Sequence, residues 1–115
     1  MATLSLPRGR GIEVTATVNA SVFHRVKISG PEVDYQWEGT GEGKRIGQGA
    51  ISFPPGEGEV EVEVILTYST GDDAWKAGYE QVTEERENGE IRVSAEDGQG
   101  VLDSNDLIVR FRWVV

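Results

Sequence analysis

"VEVEVILTY", residues 60–68, alternates a branched apolar residue with an acidic one. In an extended chain Val60, Val62 and Val64 fall on one side and Glu61 and Glu63 on the other, the period-two pattern of a strand with one buried and one wet face. A helix would scatter the same residues around its axis. Working outward, the alternation recurs. "IEVTATV" (12–18) puts Ile12, Val14, Ala16 and Val18 on one face, and "FHRVKI" (23–28) follows as a possible partner strand. "VDYQW" (33–37), the weaker glycine-interrupted "RIGQGAISF" (45–53), "EIRVSA" (90–95) and "DLIVRFRWVV" (106–115) read the same way. "GTGEGK" (39–44) and "PPGEGE" (54–59) read as turns. Only "DDAWKAGYEQVTEE" (72–85) suits a helix, capped by Asp72, and Ala74, Ala77 and Gly78 leave a strand with loops as the alternative.

Many short strands with little helix predict an all-β fold, an antiparallel β-sandwich. The expected organisation is one domain over residues 1–115. The acidic positions Glu57, Glu59, Glu61 and Glu63 read as solvated outer faces that discourage edge-to-edge pairing.

Composition narrows the function. There are 11 Lys and Arg against 20 Asp and Glu, a net charge of −9, so phosphate backbones and anionic membranes are repelled; no nucleic acid partner is expected. No apolar run approaches the roughly 20 residues that span a bilayer, so no membrane insertion is expected. The start, "MATLSLPRGRG", lacks a basic-then-apolar leader, which predicts a cytoplasmic protein or one released without a classical signal peptide. Cysteine is absent, which removes disulfides, thiolate metal sites and a Cys nucleophile. His24 is the only histidine; it cannot build a zinc triad and reads as a strand-surface residue. No nucleophile motif accompanies it, and the carboxylates cluster in one loop instead of flanking a cleft, which argues against hydrolase and glycosidase chemistry.

That loop is "EDGQGVLDSND", residues 96–106. Glu96, Asp97, Asp103, Asn105 and Asp106 carry the hard oxygen donors that calcium takes, typically about six to eight at a time. The register of an EF-hand is missing.

Together with the start of the chain, the loop resembles the calcium-mediated lectins, fucose- and mannose-binding proteins of bacteria with fungal relatives. The matching positions are Leu6, Pro7, Val14, Thr15, Ala16 and Asn19 near the start. Near the end they are Glu96, Asp97 and Gly98, then Asp103, Asn105 and Asp106, then "LIVRFRW" ending at Trp113. The resemblance implies a sandwich of about nine strands, a non-enzymatic function, and one or two Ca2+ ions gripped between protein and sugar hydroxyls. It implies Asp103 and Asp106 as bridging carboxylates, Glu96 as a ligand of one ion, and Asn19 and Asn105 as ligands of the other. Asp97 would accept a hydrogen bond from the sugar, Ser21 would touch it, and Asp103 and Asp106 would face it through the ions. The implied partners are fucosylated or mannosylated glycans, with a homo-oligomer supplying avidity.

Three departures stand out. The loop is one residue longer than the family form, Gly100 or Val101 stands where a further calcium-binding Asp is expected, and the chain ends in Val114–Val115 where a terminal Gly carboxylate is expected. They keep open a second reading: a sandwich of the same ancestry with a reduced metal site. It would serve as a protein-interaction module or bind glycans through Trp75 and Tyr79 without metal. Trp113, on an alternating strand, reads as core. "NAS" (19–21) is also a glycosylation sequon, and modification would remove Asn19 as a ligand.

Overall fold

The Val/Glu alternation of residues 60–68 forms a strand in which Val60, Val62, Val64 and Leu66 are buried and Glu61 and Glu63 exposed. The structure, a computed structural model, describes residues 2–69, 75–77, 79–96 and 107–114, leaving out the side chains of residues 20–22, 42, 76, 77, 79 and 96. In chain order the strands are β1 (Ala2–Leu6), β2 (Gly11–Gly30), β3 (Val33–Ser52), β4 (Val60–Ser69), β5 (Lys76–Ala77), β6 (Tyr79–Glu85), β7 (Glu90–Glu96) and β8 (Leu107–Trp113). A 3-10 turn, Arg86–Asn88, joins β6 to β7.

β2 and β3 are each 20 residues long, and each serves two sheets. The first half of β2 pairs with β8, from Ile12↔Trp113 to Val18↔Leu107, and with the second half of β3. Its second half pairs with β4, from Phe23↔Ser69 to Ser29↔Glu63, and with the first half of β3. The result is two antiparallel sheets of five and four strands, nine in all when the halves are counted separately. One runs β6-β7-β8-β2-β3 and the other β1-β4-β2-β3. Ile12, Val14, Ala16 and Val18 face inward beside Val109 and Phe111, opposite Leu4, Val62, Val64 and Ile28 of the second sheet. Each of these side chains larger than Ala16 contributes roughly 1.5–3 kcal/mol by leaving water.

Four local expectations change. Residues 12–18 and 23–28 are not two strands but one, passing between the sheets through irregularities at Ala16/Thr17, Val18/Ala20 and Ala20/His24. The 39–44 segment is not a hairpin turn: β3 runs through it, and positive φ at Gly41 (134°) and Gly43 (63°) lets the strand change sheets where β2 does. No helix forms over the described part of 72–85; Tyr79–Glu85 is the outermost strand, paired to β7 from Tyr79↔Glu96 to Glu85↔Glu90. His24 is buried at 1% exposure, because it shares its strand face with Val26 and Ile28.

The sandwich is sealed at the β3 side by aromatic rings. Tyr35 and Trp37 stack at 5.1 Å. The Tyr35 hydroxyl donates to the Ala50 carbonyl at 2.7 Å and accepts from the Ala50 N–H at 3.3 Å. Ala50 lies on the edge of the five-stranded sheet, so the hydroxyl occupies backbone groups that would otherwise template another strand. Gly47 and Gly49 make room: a Cβ on Gly49 would stand 2.7 Å from Tyr35 Cζ, and one on Gly47 would fall inside the Trp37 indole. On the other side Arg86 ties the sheets together, donating to the Ser5 carbonyl at 2.7 Å and to Glu59 at 2.6 Å.

Candidate functional site

Three strand ends meet at one end of the five-stranded sheet. Val18 of β2 pairs with Leu107 of β8, and Leu107 pairs with Ala95 of β7. The polypeptide therefore leaves this row at Asn19 on β2 and at Glu96 on β7, and enters it from residue 106 on β8. Adjacent strands lie about 4.8 Å apart, so the backbones of Asn19 and Glu96, two strands apart, are separated by roughly 10 Å. Register therefore sets Leu107, which follows the 97–106 segment in the sequence, in one row with Val18 and Ala95, the neighbours of Asn19 and Glu96.

Asn19 is half-buried and held in place. Its Oδ1 accepts a hydrogen bond from the Gly43 N–H at 2.9 Å. This bond fixes the orientation of the side chain. Gly43 presents its N–H from a left-handed conformation that glycine adopts without cost. Sequence reasoning missed this partner; the signal was the glycine cluster at 39–44, read as a turn.

Of the other expected site residues, Glu96 and Ser21 lie in β7 and β2, but their side chains are outside the described residues. Asp97, Asp103, Asn105 and Asp106 lie outside them entirely, as do Gly100 and Val101. Among the described residues no three His, Asp or Glu side chains group as a metal cage, so the Glu57–Glu63 acidic run is no competing site. The donor set that remains is oxygen-only and mostly anionic, with one neutral amide oxygen already oriented, and it fits a hard cation such as calcium.

Trp75 is no open platform. It is half-buried, and the Arg25 guanidinium lies 3.9 Å from its ring centroid, covering one face, while Arg25 also pairs with Glu38 at 2.7 Å. The Tyr79 side chain is outside the described residues. Trp113 is half-buried and packs against the core, as its alternating strand predicts.

The family model described as Fucose-binding lectin II (PA-IIL) matches residues 4–115. The chain belongs to that family. Its members are lectins, which bind carbohydrate without transforming it; the chain is a lectin and not an enzyme. Comparison with curated protein sequences gives no match. Among solved structures, lectin CV2L of Chromobacterium violaceum, in complex with alpha-methyl-fucoside, superimposes with a TM-score of 0.71 at 22% identity, covering 98% of this chain and 96% of that one. A high-affinity mannose-binding lectin of Ralstonia solanacearum gives 0.71 at 20% identity, with the same coverage. The C-terminal domain of the BC2L-C lectin from Burkholderia cenocepacia gives 0.68 at 20%, covering 98% and 95%. At these identities the likeness is one of fold, and it extends over nearly the whole of each chain.

Proposed function

We propose that this chain is a calcium-dependent lectin for fucose- or mannose-type sugars, binding at the end of the five-stranded sheet. The observation that supports the reading is the row Val18–Leu107–Ala95, which sets Asn19 and Glu96, the residues that follow it on β2 and β7, two strands apart at one end of the sheet. Asn19, Glu96, Asp103, Asn105 and Asp106 are the ligands, with Asp103 and Asp106 bridging. Asp97 and Ser21 address the sugar directly. One of the similar structures is a complex with a fucoside and another is a mannose-binding lectin, which indicates the class.

Bound calcium supplies concentrated positive charge for which vicinal sugar hydroxyls are ligands as good as water. The protein does the rest. Gly43 holds the Asn19 oxygen before any ion arrives, so little side-chain entropy is lost on binding. The carboxylates of Glu96, Asp97, Asp103 and Asp106 repel one another when crowded, and a divalent cation relieves that repulsion. With Val101 or Gly100 in place of an Asp, the second ion has one anionic ligand fewer and is the weaker of the two.

Calorimetric melting tests this part. A ligand that binds only the native state at about 100 times its dissociation constant stabilises by about 2.7 kcal/mol. For a domain of this size that is a rise in Tm of roughly 10 °C in millimolar calcium over EDTA. An unchanged Tm would favour the metal-free module.

A further inference from the structure

We infer that Lys44 is a tethered counter-ion of the proposed calcium site: it neutralises that end of the sheet when the metal is absent and opposes the metal when it binds. The inference rests on the calcium-dependent reading of this end and adds a control on its affinity.

Register places the residue. Lys44 on β3 stands opposite Val18 on β2, so the row Val18–Leu107–Ala95 continues through it to a fourth strand. It directly follows Gly43, whose N–H holds the Asn19 oxygen. Its stem is also directed. Lys44 Cβ and Cδ each lie 3.4 Å from where a Cβ on Gly41 would stand, so the side chain folds back along β3 over that glycine. Gly41 is opposite Ala20, the residue between Asn19 and Ser21. The stem therefore runs toward the stretch of β2 that carries the proposed metal and sugar contacts.

The charge at its tip is uncommitted. Lys44 is exposed and makes no ion pair among the described residues. Two other cations of these strands are engaged. Arg45 donates to Gln48 at 3.4 Å, further along β3 from this end, and Arg25 pairs with Glu38 at 2.7 Å. An ammonium on a four-carbon stem is a compact charge that can follow its partners, which a rigid guanidinium fork does less well. Its effect on the metal follows from Coulomb's law. A unit charge and a divalent cation two strand spacings apart, roughly 10 Å, repel enough in water at low salt to weaken binding about threefold.

Lys44→Met tests this, because it keeps an apolar stem over Gly41 and removes the charge. Lys27→Met is the control: it makes the same change in net charge at an exposed position opposite Ile65 on the four-stranded sheet. Calcium alone is titrated calorimetrically into the parent and both variants, in about 10 mM and about 500 mM NaCl, where screening acts over about 30 Å and under 5 Å respectively. At low salt Lys44→Met should bind calcium about threefold more tightly than Lys27→Met, and at high salt the two should agree within about 1.5-fold. In EDTA at low salt its Tm should lie about 2 °C below that of Lys27→Met, because the site's carboxylates have lost their counter-ion. Equal affinities at low salt, weaker calcium binding by Lys44→Met, a difference that persists at high salt, or equal Tm values in EDTA each overturn the inference. A parent chain that takes up no calcium overturns the calcium reading and this inference with it. A parent that takes up calcium while the two variants behave alike overturns the counter-ion alone.

Discussion

Asp106→Ala abolishes sugar binding, with a loss of at least about 100-fold in affinity, roughly 2.7 kcal/mol, in saturating calcium. Asp106 immediately precedes Leu107 in the sequence, and Leu107 pairs across the sheet with Val18, the neighbour of Asn19. In the proposed cage Asp106 is shared, and one substitution removes a ligand from both ions at once. Breaking a single non-bridging contact, as in Asn105→Ala, costs less. The variant keeps its fold: in EDTA its Tm matches the parent or lies above it, because one carboxylate fewer crowds the loop. Calorimetric titration of sugar into the calcium-loaded variant reads the loss, and full binding by Asp106→Ala would remove this residue from the site.

The largest effect on stability is expected at Gly47. A β-branched side chain there must displace the Trp37 indole, which stacks on Tyr35 and closes the sandwich edge. Gly47→Val should destabilise by about 2–3 kcal/mol, the usual cost of overpacking, and lower Tm by roughly 10 °C. Gly11→Ala is the control. It adds the same kind of group to the same sheet in open space, and removing glycine's unfolded-state entropy should raise stability slightly, by about 0.5 kcal/mol. Chemical denaturation of the two variants separates the explanations: equal destabilisation would mean that loss of glycine flexibility, not the indole, sets the cost.

Much of the fold could be read from strand alternation, because burial of one face is a local, period-two property. It identifies Val60–Leu66, Ile12–Val18 and the last strand without any knowledge of partners. Reading failed where the structure depends on distant partners. Tyr79–Glu85 carries little apolar alternation, and its Val82 is 41% exposed; it is a strand because β7 offers an unpaired edge. The glycines at 39–44 look the same in a hairpin and in a strand crossing between sheets, and only pairing with β2 decides. β1 was overlooked because Pro7 and Gly9 follow five residues of weak signal, although Ala2, Leu4 and Leu6 all turn inward. His24 was legible. Val26 and Ile28 share its parity, and counting them over the single Phe23 on the other face places the imidazole inside.

The candidate site was legible as a set of donors and only partly as a place. Acidic residues concentrated between two strand segments motivate the proposed chemistry, since oxygen donors without Cys suit a hard cation. Setting Asn19 at the same end of the sheet as Leu107 requires the β2–β8 register, which no local pattern encodes. The Gly43 N–H that orients Asn19 is a backbone group, and its only mark in the sequence is the glycine that permits its positive φ.

Isothermal titration of L-fucose and of D-mannose into the chain, first with millimolar calcium and then with excess EDTA, tests the central claim most directly. Saturable binding of at least one sugar that disappears in EDTA and returns when calcium is restored is the predicted result. Tight binding that persists unchanged in EDTA would contradict it.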